Sequence, residues 1–82
     1  MLHVDVNIPV ISKSYEFSLN EHTTISTLIE EIANVISQKE QREWTRGEEK
    51  LILCNLSDGH MLPEGKTLHQ CQVLPGSRLM LL

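Results

Sequence analysis

The sequence predicts an α+β fold of the two-layer kind, in which a mixed sheet of four to five strands packs on one helix. Three observations predict it. Apolar and polar residues alternate near both ends of the chain, which is typical of strands with one buried side. One segment between them has apolar residues at the spacing of an amphipathic helix. Turn signals separate the remaining short segments. Because the helix and the strands each have one apolar side, they must cover each other.

The length and the hydropathy limit the class of protein. The 82 residues are expected to form one domain, residues 1–82. A chain of this size buries roughly 60% of its unfolded surface, so we expect a small core with no room for an internal cofactor. No apolar run approaches the roughly 18 residues that cross a bilayer, and the N-terminus lacks a signal-peptide pattern. The sequence therefore predicts a cytoplasmic protein with no direct membrane insertion.

The charge argues against one class of partner. The formal net charge is −4, and the basic residues are scattered apart from a loose group at Lys39, Arg42 and Arg46. Nucleic-acid binding needs a concentrated basic surface, so we expect no nucleic-acid partner. The two cysteines, Cys54 and Cys71, are too few for a disulfide framework and are expected to be reduced thiols.

The first two predicted strands form a hairpin. One face of the first strand carries Leu2, Val4, Val6 and Ile8. One face of the second strand carries Tyr15, Phe17 and Leu19. Pro9 is expected to end the first strand, because proline cannot donate to a strand ladder, and the connection that follows is short enough for a hairpin.

The helix is predicted from Ile25 to about Glu40. Its apolar stripe consists of Ile25, Leu28, Ile29, Ile32, Val35 and Ile36. Thr24 is the expected N-cap, with its hydroxyl accepting a hydrogen bond from a backbone N–H one turn further on.

The second half of the chain predicts three more strands and one helical turn. Residues 50–54 form a strand with Leu51 and Leu53 on the core side. Residues 60–62 form a very short strand, and the segment 63–71 contains a single helical turn. The last strand, residues 77–82, carries Leu79 and Leu81 on its core side. The first and last strands are expected to pair in parallel at the centre of the sheet, through a right-handed crossover.

Specific residues carry a resemblance to a known family. The helix start "TTISTLIEEI" and the Leu-x-x-Gly-x-Thr-Leu pattern of Leu62–Leu68 resemble the ubiquitin-like β-grasp superfamily. The closing stretch Gly76–Leu82 is similar to that of the small YukD/EsaB-like proteins of type VII (WXG-protein) secretion systems. The resemblance implies a non-conjugated protein-interaction module, with a membrane component or ATPase of the secretion system as its partner. The segment 41–49 departs from the resemblance, because it matches no motif of this family.

The C-terminal residues bear on conjugation. Ubiquitin and the sulfur carriers are activated at a C-terminal Gly-Gly, which enters a narrow enzyme channel, whereas the sequence here closes on Leu81 and Leu82. Because Leu81 is assigned to the core, we expect the protein to act by being bound and not by being transferred. Two alternatives stay open: a structural β-grasp subunit of a multicomponent enzyme, and a modifier or sulfur carrier.

The sequence does not predict catalysis or a metal site. No Ser/His/Asp or Cys/His grouping stands out, and so small a domain offers no natural cleft for a substrate. Four residues invite a zinc interpretation: Cys54, His60, His69 and Cys71. Their spacings miss the paired pattern of zinc sites, so no metal is expected.

The predicted partner-binding site is an apolar patch on the outward face of the sheet. Ile52, Met80 and Leu82 alternate with the core residues along their strands, so they are expected to lie on the opposite face of the sheet. Val10 and Ile11, at the hairpin tip, are expected to extend the patch. The resemblance supports this placement, because ubiquitin presents its main recognition surface there, centred on an exposed isoleucine. Three polar residues are expected to rim the patch: His3, Asp5 and Glu16.

Other interpretations of these apolar residues are open. Scattered surface aliphatics without a role are common, and the patch could instead form a homodimer. Trp44, the one tryptophan, is expected to pack across the end of the helix. Its alternative role is that of a partner anchor, because tryptophan is enriched at binding hot spots.

Overall fold

The computed structural model describes residues 1–41 and 51–82. The elements in chain order are β1 (Leu2–Ile8), β2 (Lys13–Leu19), α1 (Ile25–Glu40), β3 (Leu53–Asn55), β4 (His60–Met61) and β5 (Arg78–Leu81). A short 3₁₀ turn, Pro9–Ile11, connects β1 to β2. Trp44, Arg42 and Arg46, and the start of the third predicted strand at Lys50, lie outside the described residues.

The strands form one mixed sheet in the order β2-β1-β5-β3-β4. β1 pairs with β2 in an antiparallel hairpin and with β5 in parallel. β3 runs antiparallel to both β5 and β4. The predicted fold class is confirmed, and β1 and β5 are neighbours at the centre of the sheet, as the sequence predicts.

The core lies between one face of the sheet and the apolar stripe of α1. From the sheet, Val6, Ile8, Leu53 and Leu79 are fully buried. The buried residues of the helix are Ile25, Leu28, Ile29, Ile32, Ala33 and Ile36. As the sequence predicts, every second side chain along these strands lies in the core, and the side chains between them lie on the outward face.

The start of α1 differs from the prediction in its mechanism. Thr24 occupies the N-cap position, but its side chain caps no backbone N–H. Its hydroxyl instead donates to the Thr27 hydroxyl at 3.1 Å. Two of the free N–H groups of the first turn are satisfied from a distant segment: Ile25 N donates to Lys66 O at 2.7 Å and Ser26 N to Glu64 O at 3.1 Å. The expected side-chain cap at Thr24 is therefore wrong.

The predicted helical turn after β4 is present and carries its own cap. Cys71 N donates to Thr67 O at 3.0 Å, which closes one helical turn. Thr67 Oγ1 accepts from Gln70 N, and Gln70 Oε1 accepts from Thr67 N, each at 3.0 Å. This reciprocal pair is a capping box, in which two backbone donors are satisfied by two side chains.

The strand β3 begins later than predicted, yet its pairing extends further. Ile52 precedes the strand, but Ile52 N donates to Leu82 O at 2.9 Å and Leu82 N to Ile52 O at 2.8 Å. Leu51 is half-buried and packs against the core, as its parity predicts. The ladder therefore holds the last residue of the sequence against β3.

Candidate functional site

The outward face of the sheet carries a row of three sulfur-containing side chains. Cys54 of β3 is directly opposite Met80 of β5 on one side and Met61 of β4 on the other. Residues directly opposite in a ladder share a face and have Cβ atoms about 5 Å apart. The three side chains therefore lie side by side across three neighbouring strands.

A second apolar pair lies next to this row. The reciprocal hydrogen bonds between Ile52 and Leu82 place these residues opposite each other, two positions beyond Cys54 and Met80 and hence on the same face. We call Ile52, Cys54, Met61, Met80 and Leu82 together the apolar face. Met61 is 62% exposed and Leu82 is 53% exposed, while the other three are half-buried.

The sequence prediction identified three of these five residues. Ile52, Met80 and Leu82 are brought together on one face, as their parity predicts. Met61 was missed because a two-residue strand shows no periodicity of its own. The signal that finds Met61 is its register with Cys54, which only the pairing of the strands reveals.

The hairpin tip lies at the same edge of the sheet as Leu82. The parallel register of Asn7 with Met80 puts the end of β1, and the turn that follows it, beside the end of β5. Val10 is 72% exposed at this tip. Ile11 is half-buried and packs against the core, so less of its surface is available to a partner than the sequence suggests.

The other half of the outward face is polar, and its two carboxylates against one guanidinium make it net acidic. Glu16 of β2 is opposite Asp5 of β1, and Asp5 is in register with Arg78 of β5. His3 Nδ1 and Ser18 Oγ are 3.1 Å apart in the adjoining row. The predicted rim residues His3, Asp5 and Glu16 therefore do share one face with the apolar residues.

A cavity opens beside the apolar face, between the sheet and the helix. It has a volume of about 350 Å³ and is bounded by Ile29 of α1, by Ile52 and Met61, and by Glu64 at its polar side. A cavity of this size can admit a few side chains of a partner, and its volume lies at the lower end of the range of about 300–1,000 Å³ that is usual for ligand pockets.

The remaining candidates from the sequence are dispersed. Cys54 and Cys71 are free, half-buried thiols, and Cys71 packs against the core. Among the described residues, the metal-ligating side chains that come together are Glu21, His22 and His69. Of the four residues whose types invited a zinc interpretation, this group includes only His69.

One polar cluster ties β2 to the end of α1. Glu40 accepts hydrogen bonds from Lys13 Nζ at 3.1 Å and from the Tyr15 hydroxyl. The hydrogen bond to Glu40 is the main reason that the pKa of Tyr15 lies above its ordinary value of 10.0. The same carboxylate raises the pKa of Lys13. This cluster lies against the helix, so its role is structural.

The architecture is that of a ubiquitin-like β-grasp protein. A ubiquitin-like domain of EccD5 from Mycobacterium xenopi is similar with a TM-score of 0.81 and 22% identity, over 99% of this chain and 91% of that one. A ubiquitin-like domain of an Arabidopsis thaliana protein gives a TM-score of 0.72 and 18% identity, over 99% and 74%. A design based on ubiquitin gives 0.69 and 18%, over 99% and 85%. These similarities confirm the predicted fold.

The family follows from the sequence match. Residues 3–81 match the family described as protein YukD of the WXG100 protein secretion system (Wss), and the chain belongs to this family. A comparison with curated protein sequences finds no match. The resemblance that the sequence predicts is therefore confirmed. Within residues 1–41 and 51–82, no helix combines the length and the apolar character needed to cross a bilayer.

Proposed function

We propose that this protein is a non-conjugated, non-catalytic interaction module of a type VII secretion system, acting in the cytoplasm as a single domain. It docks reversibly on a protein partner through the apolar face. The observation that carries the proposal is the convergence of five apolar or sulfur-containing side chains on one outward face, with Met61 and Leu82 more than half exposed. Exposed apolar clusters of this kind mark interaction sites.

The chemistry of the face supports a particular kind of partner. Asp5 and Glu16 lie on the same outward face as the apolar residues, with Arg78 in register with Asp5, and the chain carries a formal net charge of −4. A complementary protein surface has an apolar centre flanked by basic residues. A cytoplasmic part of the secretion system's membrane component or its ATPase is the partner we propose, and not a nucleic acid. The small area of the face suits a weak or transient contact.

Leu81 and Leu82 are both held by backbone pairing with the segment of β3. Leu82 exchanges two backbone hydrogen bonds with Ile52, and Leu81 is buried. Intact mass spectrometry of the protein from its native host tests the proposed non-conjugated role: an adduct or a thiocarboxylate at its C-terminus would contradict the proposal.

The docking itself is tested with two surface substitutions, Met61→Asp and Leu82→Asp. Each is expected to weaken binding to the purified cytoplasmic domain of the membrane component or of the ATPase by at least tenfold in isothermal titration calorimetry, because a charge then enters a desolvated contact. Thermal unfolding should change little, since both side chains are largely exposed.

The matched control is Leu74→Asp. Leu74 is 69% exposed and lies in the loop before β5, apart from the apolar face. Binding should be unchanged by this substitution. Equal losses for Leu74→Asp and Met61→Asp would refute the apolar face as the docking site. A concentration-dependent dimer that Met61→Asp dissociates would instead assign the face to self-association.

A further inference from the structure

Three metal-ligating side chains converge at a place unrelated to the apolar face. Glu21 and His22 belong to the loop between β2 and α1, and His69 belongs to the helical turn before β5. One ligand atom from each residue lies within 4.8 Å of the others. The two imidazole rings have centroids 5.0 Å apart, and His69 Nδ1 is 3.7 Å from Glu21 Oε2.

The backbone holds these three residues in place. The Asn20 side chain accepts from His22 N at 2.9 Å, which fixes the first segment in a tight turn. His69 N donates to Glu21 O at 3.0 Å, which joins the two segments directly. The capping box of Thr67 fixes the turn that carries His69. The ligands are therefore presented by two segments that are already connected, so metal binding does not have to bring them together.

We propose that Glu21, His22 and His69 form a binding site for a divalent transition-metal ion of the zinc type. Imidazole ligands favour Zn²⁺, Ni²⁺ and Cu²⁺ over Mg²⁺ and Ca²⁺, which prefer oxygen. Two histidines and one carboxylate are a frequent zinc ligand set, with water in the fourth position.

The geometry requires only side-chain motion. Tetrahedral Zn²⁺ with bonds of about 2.0–2.2 Å brings neighbouring ligand atoms to about 3.3 Å from each other. The three ligand atoms lie within 4.8 Å of one another, so each pair must approach by at most roughly 1.5 Å to reach the spacing around a zinc ion. His22 and His69 are exposed and Glu21 is half-buried, so rotation about their side-chain bonds can supply this closure.

An ion at this site would join the loop after β2 to the turn before β5. It would bind the folded protein and not the separated segments, so it would stabilise the native state by mass action. The site lies on loops and not on the outward face of the sheet, so occupancy and docking are separate properties.

The test is a titration of the untagged, metal-free protein with ZnCl₂ by isothermal calorimetry and thermal unfolding. We expect one ion per chain, and a rise in Tm of about 10–20 °C at a free concentration one hundred times Kd. MgCl₂ should give no heat and no shift. His22→Ala and His69→Ala should each weaken zinc binding by at least about tenfold, and Glu21→Gln should also weaken it.

The matched controls are His60→Ala and Cys71→Ser. His60 lies beside Asp58, with His60 Nδ1 3.8 Å from Asp58 Oδ2, so the pair offers an exposed histidine and carboxylate without a second imidazole. Both controls should bind zinc as the unaltered protein does. In NMR spectra, zinc should shift the ring resonances of His22 and His69 and leave those of His60 in place. Unchanged affinity in His22→Ala and His69→Ala, or loss in either control, would overturn the proposal.

Discussion

At the scale of single residues, Glu40 makes the most informative polar contacts. Its side chain is 14% exposed, and it accepts hydrogen bonds from both Lys13 and Tyr15 of β2. Lys39 Nζ lies 5.7 Å from the centre of the Tyr15 ring, which adds a cation–π contact on the same side. The last turn of α1 is thereby attached to the edge strand of the sheet.

The titration of Tyr15 reports on this attachment. The pKa of Tyr15 is raised first by its hydrogen bond to Glu40, then by desolvation and by the charge of Glu40, while Lys13 lowers it. A raised pKa in the folded state stabilises the protein fully below the ordinary value of 10.0, and this stabilisation is lost as the pH rises through the folded pKa. Lys13, whose pKa is raised from 10.5, acts in the same direction.

We predict that tyrosinate absorbance will show a midpoint above 10.0 in the unaltered protein. The measurement is specific because the chain has one tyrosine. Glu40→Ala should return the midpoint toward 10.0 and flatten the loss of unfolding free energy at alkaline pH, because it removes the acceptor and the charge together. Glu31→Ala, an exposed acidic residue of the same helix, is the control and should leave the midpoint unchanged. An equal shift in both variants would disprove the contact.

At the scale of the elements, the two helical starts use different chemistry. The turn at Thr67 is capped by its own side chains, as a local sequence pattern can specify. The start of α1 is capped by the carbonyl groups of Glu64 and Lys66, some forty residues further along the chain. The side chain of Thr67 therefore stabilises its helical turn by capping, whereas the side chain of Thr24 does not cap α1.

We predict that Thr67→Ala will lower the free energy of unfolding by about 1 kcal/mol, the usual cost of losing a side-chain cap. Thr24→Ala should cost clearly less, because the Thr24 hydroxyl bonds only other side chains. Thr67→Ser keeps the acceptor and should retain most of the stability. Urea unfolding of the three variants gives the comparison. A larger loss for Thr24→Ala than for Thr67→Ala would show that the cap lies at Thr24 after all.

At the scale of the whole molecule, the sequence predicts what local periodicity encodes. The alternation of Leu79 with Met80 sets the two faces of β5, and the stripe from Ile25 to Ile36 sets the buried side of α1. Contacts between distant segments leave no such pattern. Met61 joins the apolar face only through strand register, and Glu21 meets His69 only through the fold. The four residues whose types invite a zinc interpretation, and whose spacings argue against a site, do not come together.

The outward face of the sheet is divided, and this division predicts how association should respond to mutation. The acidic half at Asp5 and Glu16 acts at long range, so it should steer a basic partner during encounter. The apolar half acts only on contact, so it should govern how long the complex lasts. Salt weakens the long-range steering, because exposed charges further apart than the Debye length of about 8 Å at physiological ionic strength are largely screened. It leaves the apolar contact largely unaffected.

We therefore predict that Glu16→Gln will slow association with the proposed partner and make its rate less dependent on salt, with little change in the dissociation rate. Met61→Ala should do the opposite, accelerating dissociation and leaving the association rate near that of the unaltered protein. Stopped-flow association and surface-based dissociation measurements over a range of ionic strength separate the two. Glu30→Gln removes an equal charge from the exposed side of α1, in the other layer of the fold. If Glu30→Gln slows association as much as Glu16→Gln does, the steering comes from net charge and not from the acidic half of the proposed docking face.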